Sequence, residues 1–145
     1  MTMFMEYGFT EARKDFTSVI DRVQHLLPVV IQPRKKSEEP TFLFKQAVVH
    51  QLLSEYKFQC TLVDEEEGSY AYWLDPLDIY GYGETKEDAI NSLIDDLLLY
   101  CKEYTQNPER YISAPNRKHH LPYVFKVMCC NDPKEVKQML IPDAS

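Results

Sequence analysis

Thr85-Lys86-Glu87-Asp88-Ala89-Ile90-Asn91-Ser92-Leu93-Ile94-Asp95-Asp96-Leu97-Leu98 is the stretch on which the fold turns. Ala89, Ile90, Leu93, Ile94, Leu97, Leu98, Cys101 and Tyr104 recur at three- and four-residue spacing, which predicts a long helix with one face turned to a core. Lys86, Glu87, Asp88, Asn91, Asp95 and Lys102 fall on the opposite face. Thr85 followed three residues later by Asp88 predicts a capping box, with Asp in place of the usual Glu. Upstream, residues 58–63, 70–74 and 79–83 read as strands. Residues 64–69 form the first turn, where Gly68 supplies a positive φ, and residues 75–78 break the second strand from the third. The expectation is a small antiparallel sheet packed on one long helix.

Before residue 58 the pattern differs. Residues 1–7 alternate weakly, as a short strand does. Thr10 stands at an N-cap position with Glu11 behind it, and Ala12, Phe16, Val19, Ile20, Val23, Leu26 and Leu27 follow helical spacing up to Pro28. Residues 29–32 and 41–45 read as strands joined by the polar loop 33–40, and residues 46–57 as a second helix. The expected fold class is therefore α+β. A β-α-β-β-α module occupies residues 1–58, and the sheet-and-helix unit occupies residues 59–145. Beyond the long helix, residues 105–122 are expected as a connection, 123–130 as a closing strand, and 133–140 as a short helix capped by Asp132.

Composition narrows the function classes. The chain has 145 residues, 44% hydrophobic and 27% charged, which excludes a wholly disordered protein. Its longest apolar run, 26–31, falls far short of the roughly 20 residues that cross a bilayer, and no secretory signal opens the chain. A cytoplasmic protein is expected, with Cys60, Cys101, Cys129 and Cys130 reduced. Charge is uneven. Residues 1–58 carry eight Lys/Arg and seven Asp/Glu, whereas residues 59–145 carry eight and sixteen. Two halves of opposite electrostatic preference point to two different partners.

Signatures of catalysis are missing. The sequence has no glycine-rich phosphate loop, no GxSxG elbow and no HExxH, so no catalytic residue and no cofactor is expected. Asp95 and Asp96 are helix neighbours about 100° apart and cannot act as a facing pair. The adjacent pairs His119–His120 and Cys129–Cys130 suit a single metal badly, and no metal site is expected. Tyr70 and Tyr72 share one strand face, as do Tyr80 and Tyr82, either as cross-strand packing or as a surface for a partner.

Gly8-Phe9-Thr10-Glu11-Ala12-Arg13-Lys14-Asp15-Phe16, then Val19-Ile20 and Pro28-Val29-Val30-Ile31, resembles the start of Phd/YefM-type antitoxins over residues 3–56. The loop 34–40 is longer than the tight Arg-Gly tip usual there. Residues 70–104, with Leu74-Asp75-Pro76-Leu77, Tyr80-Gly81-Tyr82-Gly83 and Glu84-Thr85-Lys86-Glu87-Asp88-Ala89, resemble the HicB antitoxin domain. These resemblances imply an antitoxin of a type II toxin–antitoxin pair. Such a protein would neutralise a basic, RelE-like ribonuclease by direct binding and repress its own operon as a homodimer. Thr10, Arg13, Lys14, Arg34, Lys35 and Lys36 would meet operator DNA, with Arg13 and Lys14 in the first turns of a phosphate-favouring helix. Glu87, Asp88 and Asp95, together with Val136 and Leu140 of the last segment, would meet the toxin. The competing expectations are a dimeric protein-interaction module without DNA binding, and a small metal-dependent hydrolase using His119, His120 and carboxylates.

Overall fold

The computed structural model describes residues 3–25 and 28–142. Leu26 and Leu27, counted above in the first helix face, lie outside the described residues, as do positions 1 and 2 of the first strand. The fold is mixed α+β and divides into two compact units, Met1–Leu52 and Leu53–Ser145, so the division falls six residues before the expected boundary.

In the first unit, β1 (Met5–Tyr7) pairs in parallel with β2 (Val29–Ile31), which pairs antiparallel with β3 (Thr41–Leu43). The crossover between β1 and β2 holds two helices, α1 (Phe9–Lys14) and α2 (Phe16–His25), in place of the one continuous helix that the spacing predicts. Asp15 causes the break. Its backbone leaves the helical region (φ −135°, ψ 61°), and its carboxylate takes the Ser18 hydroxyl at 2.7 Å and the Ser18 N–H at 3.3 Å. That is N-cap behaviour, and it starts α2 afresh. Thr10 is not a cap: Gly8 is the N-cap of α1. Ala12, Val19, Val23 and Val29 form a small buried core, flanked by Tyr7, Ile31 and Leu43. α3 (Gln46–Leu53) follows and has no fully buried residue.

The second unit is built on α4 (Lys86–Gln106). Ala89, Ile90, Leu93, Ile94, Leu97, Cys101 and Tyr104 are buried along one face, as the spacing predicts. The Asp88 N–H donates to Thr85 Oγ1 at 3.0 Å, so Thr85 is the N-cap and supplies its half of the expected box. Three antiparallel strands, β4 (Gln59–Glu66), β5 (Ser69–Asp75) and β6 (Ile79–Gly83), lie in that order beside it. The hairpin is longer than expected. Both strands run on into the acidic stretch, which solvates readily, and the turn shrinks to Glu67-Gly68 with Gly68 at φ +78°. A register shift between Leu62 and Asp64 marks a bulge at Val63.

Gly81 lets β6 approach α4. A Cβ there would stand 2.4 Å from the Ala89 carbonyl oxygen and 2.5 Å from Leu93 N.

Residues 123–130 do not form the strand that their side chains predict. They make up most of α6 (Leu121–Met128), because Val124 and Val127, three apart, both bury against the α4 core, and Pro122 sits in the first helical turn. The stretch 105–122 holds α5 (Pro108–Ile112) and a 3₁₀ turn (Lys118–His120) rather than an unstructured connection. α7 (Pro133–Leu140) has Asp132 as its cap, accepting the Glu135 N–H at 2.9 Å.

Candidate functional site

Three surfaces carry the residues singled out from sequence. The first is cationic and lies in the first unit. Arg13, Lys14, Arg34, Lys35 and Lys36 are all exposed, as is Thr10. Arg13 and Lys14 occupy the last turn of α1, not the first turns of a helix. A phosphate at the N-terminus of α2 is also disfavoured, since the Asp15 carboxylate already accepts the Ser18 N–H and sets a negative charge there. In the loop, the Arg34 guanidinium donates to Glu38 at 2.6 Å and lies 5.5 Å from the centre of the Phe9 ring, tying the loop to the start of α1. The hydrogen bond from Arg34 holds the Glu38 carboxyl below its ordinary range, and Glu38 raises Arg34 in turn. Among the described residues, Arg13, Lys14, Lys35 and Lys36 enter no ion pair.

The second surface is the solvent side of α4. Glu87, Asp88 and Asp95 are exposed there. Lys86, one residue before them, is turned to Glu65 of β4 at 2.8 Å, which raises its pKa. Val136 and Leu140 do not extend this surface. Both are buried, at 1% and 6% exposure, because α7 lays its apolar stripe on the core of the second unit. Their sequence signal, apolar residues on a terminal helix, is shared by docking segments and core helices alike.

The third surface is aromatic. Strand alternation and pairing register put Tyr72 and Leu74 toward α4, while Trp73, Tyr80 and Tyr82 face away from it. Tyr80 and Tyr82 are 41% and 65% exposed. Their rings stack at 6.2 Å, and Trp73 Nε1 donates to Asp78 Oδ1 at 2.7 Å. Sequence reasoning found the shared tyrosine faces but not the Trp73–Asp78 contact, which depends on the left-handed backbone of Asp78 (φ +56°).

The adjacent histidines separate in role. His119 is exposed, whereas His120 is buried and hydrogen-bonds the Tyr100 hydroxyl through Nδ1 at 2.7 Å. Burial, with the charges of His119 and Arg117 behind it, pushes the His120 pKa down to about 4. The Tyr104 hydroxyl donates to the Arg117 carbonyl at 3.0 Å in the same cluster, so these groups hold the segment 111–120 onto α4. Among the described residues, no group of three or more His, Cys, Asp or Glu is placed to hold a metal ion. The four cysteines are free thiols. Burial raises Cys60 to about 11 and Cys101 to about 12, which keeps both protonated at neutral pH. No helix among the described residues is long and apolar enough to cross a membrane.

Among solved structures, the chain is similar to one described as the antitoxin part of a candidate toxin/antitoxin system from Syntrophomonas wolfei subsp. wolfei. The two share 29% sequence identity and a TM-score of 0.78, over 94% of this chain and 96% of that one. No curated protein matches. Residues 3–141 match the PHD-like family, described as antitoxin of toxin-antitoxin, RelE / RelB, TA system. That match runs through both units and over all three surfaces, and by it the chain belongs to the PHD-like family of toxin–antitoxin antitoxins.

Proposed function

We propose that this antitoxin works in the cytoplasm by binding alone. Its second unit holds a basic, RelE-like ribonuclease toxin, and a dimer of its first unit represses the operon that encodes the pair. In this reading the first unit is Phd/YefM-like and the second HicB-like. The observation that carries it is the charge division between the two units. The first has seven Lys/Arg against six Asp/Glu, and the second nine against seventeen. An acidic body suits a cationic partner and repels nucleic acid, so any DNA contact belongs to the first unit.

Arg13, Lys14, Lys35 and Lys36 are the DNA-contacting cations of this proposal, and Thr10 lies beside them on α1. Arg34 supports them by fixing the loop against Phe9 and reaches phosphate only by leaving Glu38. Dimerisation is supported by the side of β3 turned away from the helices, where Phe42 and Phe44 stack with ring centres 6.0 Å apart, Phe4 meets Phe42 edge-on, and the three are 39–44% exposed. A patch of that kind on so small a unit calls for a partner, and a second copy presents the same cations twice to a palindromic operator. Glu87, Asp88 and Asp95 lend the second unit the field that draws the toxin in.

A gel-shift series over rising salt, using the DNA upstream of the gene, tests the reading. Wild type should prefer that DNA over random duplex. With Lys35 and Lys36 replaced by alanine, the slope of log K against log salt should fall by about 0.9 for each phosphate that a lysine neutralises in the wild type. Equal affinity for random duplex would reduce the first unit to a dimerisation module without operator recognition.

A further inference from the structure

The register of the second sheet fixes which side chains share its outward face. Trp73 pairs with Tyr80 and Thr61, and Ala71 pairs with Tyr82 and Asp64, so these stand together on the side away from α4. The bulge at Val63 adds to them, since it turns both Val63 and Asp64 outward, and Val63 is 51% exposed. Glu66 and Asp75 lie on the same face by alternation. Strands β4, β5 and β6 contain no Lys, Arg or His at all. The face is therefore an aromatic platform rimmed by carboxylates.

Platform geometry is pre-set. Tyr80 and Tyr82 lie nearly parallel, 13° apart, with 41% and 65% of their surface exposed, and Asp78 pins the Trp73 indole from the adjoining turn. We infer that this outward sheet face is the surface on which the toxin docks, through an Arg- or Lys-bearing segment stacked on Tyr80 and Tyr82 and paired with Asp64 and Asp75. The inference rests on the antitoxin reading and locates its contact.

Charge chooses the occupant. A guanidinium stacks on an aromatic ring while its edge pairs with a carboxylate, so it satisfies both features of the face at once. An apolar partner would bury Asp64, Glu66 and Asp75 without counter-charges, at a desolvation cost that nothing in such an interface returns. A second copy would lay acid on acid, because a two-fold interface brings the same patch to itself. Glu87 and Asp95 do not share this face, whereas Asp88 flanks β6 at Gly83, so Glu87 and Asp95 act on the toxin at long range and not by contact.

The test uses the full chain, with the basic protein encoded by the adjoining reading frame as probe, in a binding-kinetics measurement at physiological ionic strength. Tyr82→Arg, and separately Tyr80→Ala with Tyr82→Ala, should weaken binding at least tenfold by faster dissociation while leaving the melting temperature unchanged. Glu87→Gln with Asp95→Asn should change only the association rate, by a few-fold. If the unaltered chain binds and both sheet variants stay within twofold of it, the docking surface is wrong and the antitoxin reading stands. If the unaltered chain does not bind that protein, both fall. If Tyr82→Arg changes the mass of the chain alone by light scattering, the face belongs to self-association and the inference is overturned.

Discussion

Replacing Gly81 by alanine should cost the second unit far more stability than the same change at the open hairpin turn, and Gly83→Ala, whose Cβ would meet Ala89 N at 2.4 Å, should cost a similar amount. The Cβ added at Gly81 would meet the Ala89 carbonyl oxygen at 2.4 Å and Leu93 N and Cβ at 2.5 Å. Ordinary carbon contacts begin near about 3.5 Å, so β6 and the second turn of α4 must part by about 1 Å. None of the atoms met is the end of a flexible side chain, and relief must therefore come from moving backbone. That movement opens the contact between the sheet and Leu93, which with Leu74 is 0% exposed. Overpacking of this kind costs ~3 kcal/mol, and the associated loss of fit keeps the value at the upper end of the usual range. On a unit of this size the melting temperature should drop by ~12–20 °C. Trp73 is the sole tryptophan and lies in the second unit, so urea unfolding followed by its fluorescence reads this unit directly. Gly68→Ala is the comparison. It has open space around its Cβ but a φ of +78°, and the strain there costs ~1 kcal/mol. A Gly81→Ala loss no greater than that of Gly68→Ala would refute the close-approach argument.

Thr85→Ala removes the acceptor of the Asp88 N–H and should cost ~1 kcal/mol by urea titration, with Thr85→Ser restoring most of it. His120 takes a proton only near pH 4 when folded, whereas an unfolded imidazole takes one near 6.5. Between those values the unfolded state holds more protons, so this contribution is complete above pH 6.5 and drains away as the pH falls toward 4, by ~2–3 kcal/mol at most. The stability difference between wild type and His120→Gln should shrink across that window, and parallel pH profiles would contradict it. Glu38→Gln releases Arg34 from its partner and should tighten operator binding several-fold with no change in melting temperature; equal or weaker gel-shift affinity would remove Arg34 from the DNA surface.

Long-range periodicity made α4 and its buried face legible from sequence, because twenty-one residues of one pattern average out local ambiguity. The cap at Thr85 was legible for the opposite reason: it needs only two residues at a fixed offset. Residues 121–128 defeated the same reading. Val124, Phe125 and Val127 have strand-favouring side chains, and only the tertiary demand of α4 for a second apolar stripe makes them helical. The break at Asp15 was hidden too, since Phe16 and Val19 continue the helical spacing of Ala12 across it. That break moves Arg13 and Lys14 from the start of a long helix to the end of a short one, which removes the phosphate argument but leaves both cations on the surface. For the partner surfaces, net charge was readable, whereas the outward face of β5 and β6 needed the register to separate Tyr72 from Tyr80.

A chain that carries a cationic loop and an acid-rimmed sheet must keep the one from satisfying the other. The loop limits that competition within itself. Arg34, the side chain best shaped to stack on tyrosine and pair with aspartate, is already paired with Glu38 and placed over Phe9, the same two contacts in miniature. Lys35 and Lys36 remain, but an ammonium is a compact, strongly hydrated charge that gains less from an aromatic face than from phosphate oxygens. The sheet in turn has no cation of its own to mask it. Within the loop, guanidinium against ammonium is thus the chemical distinction that keeps the cations proposed for DNA from the face proposed for the toxin.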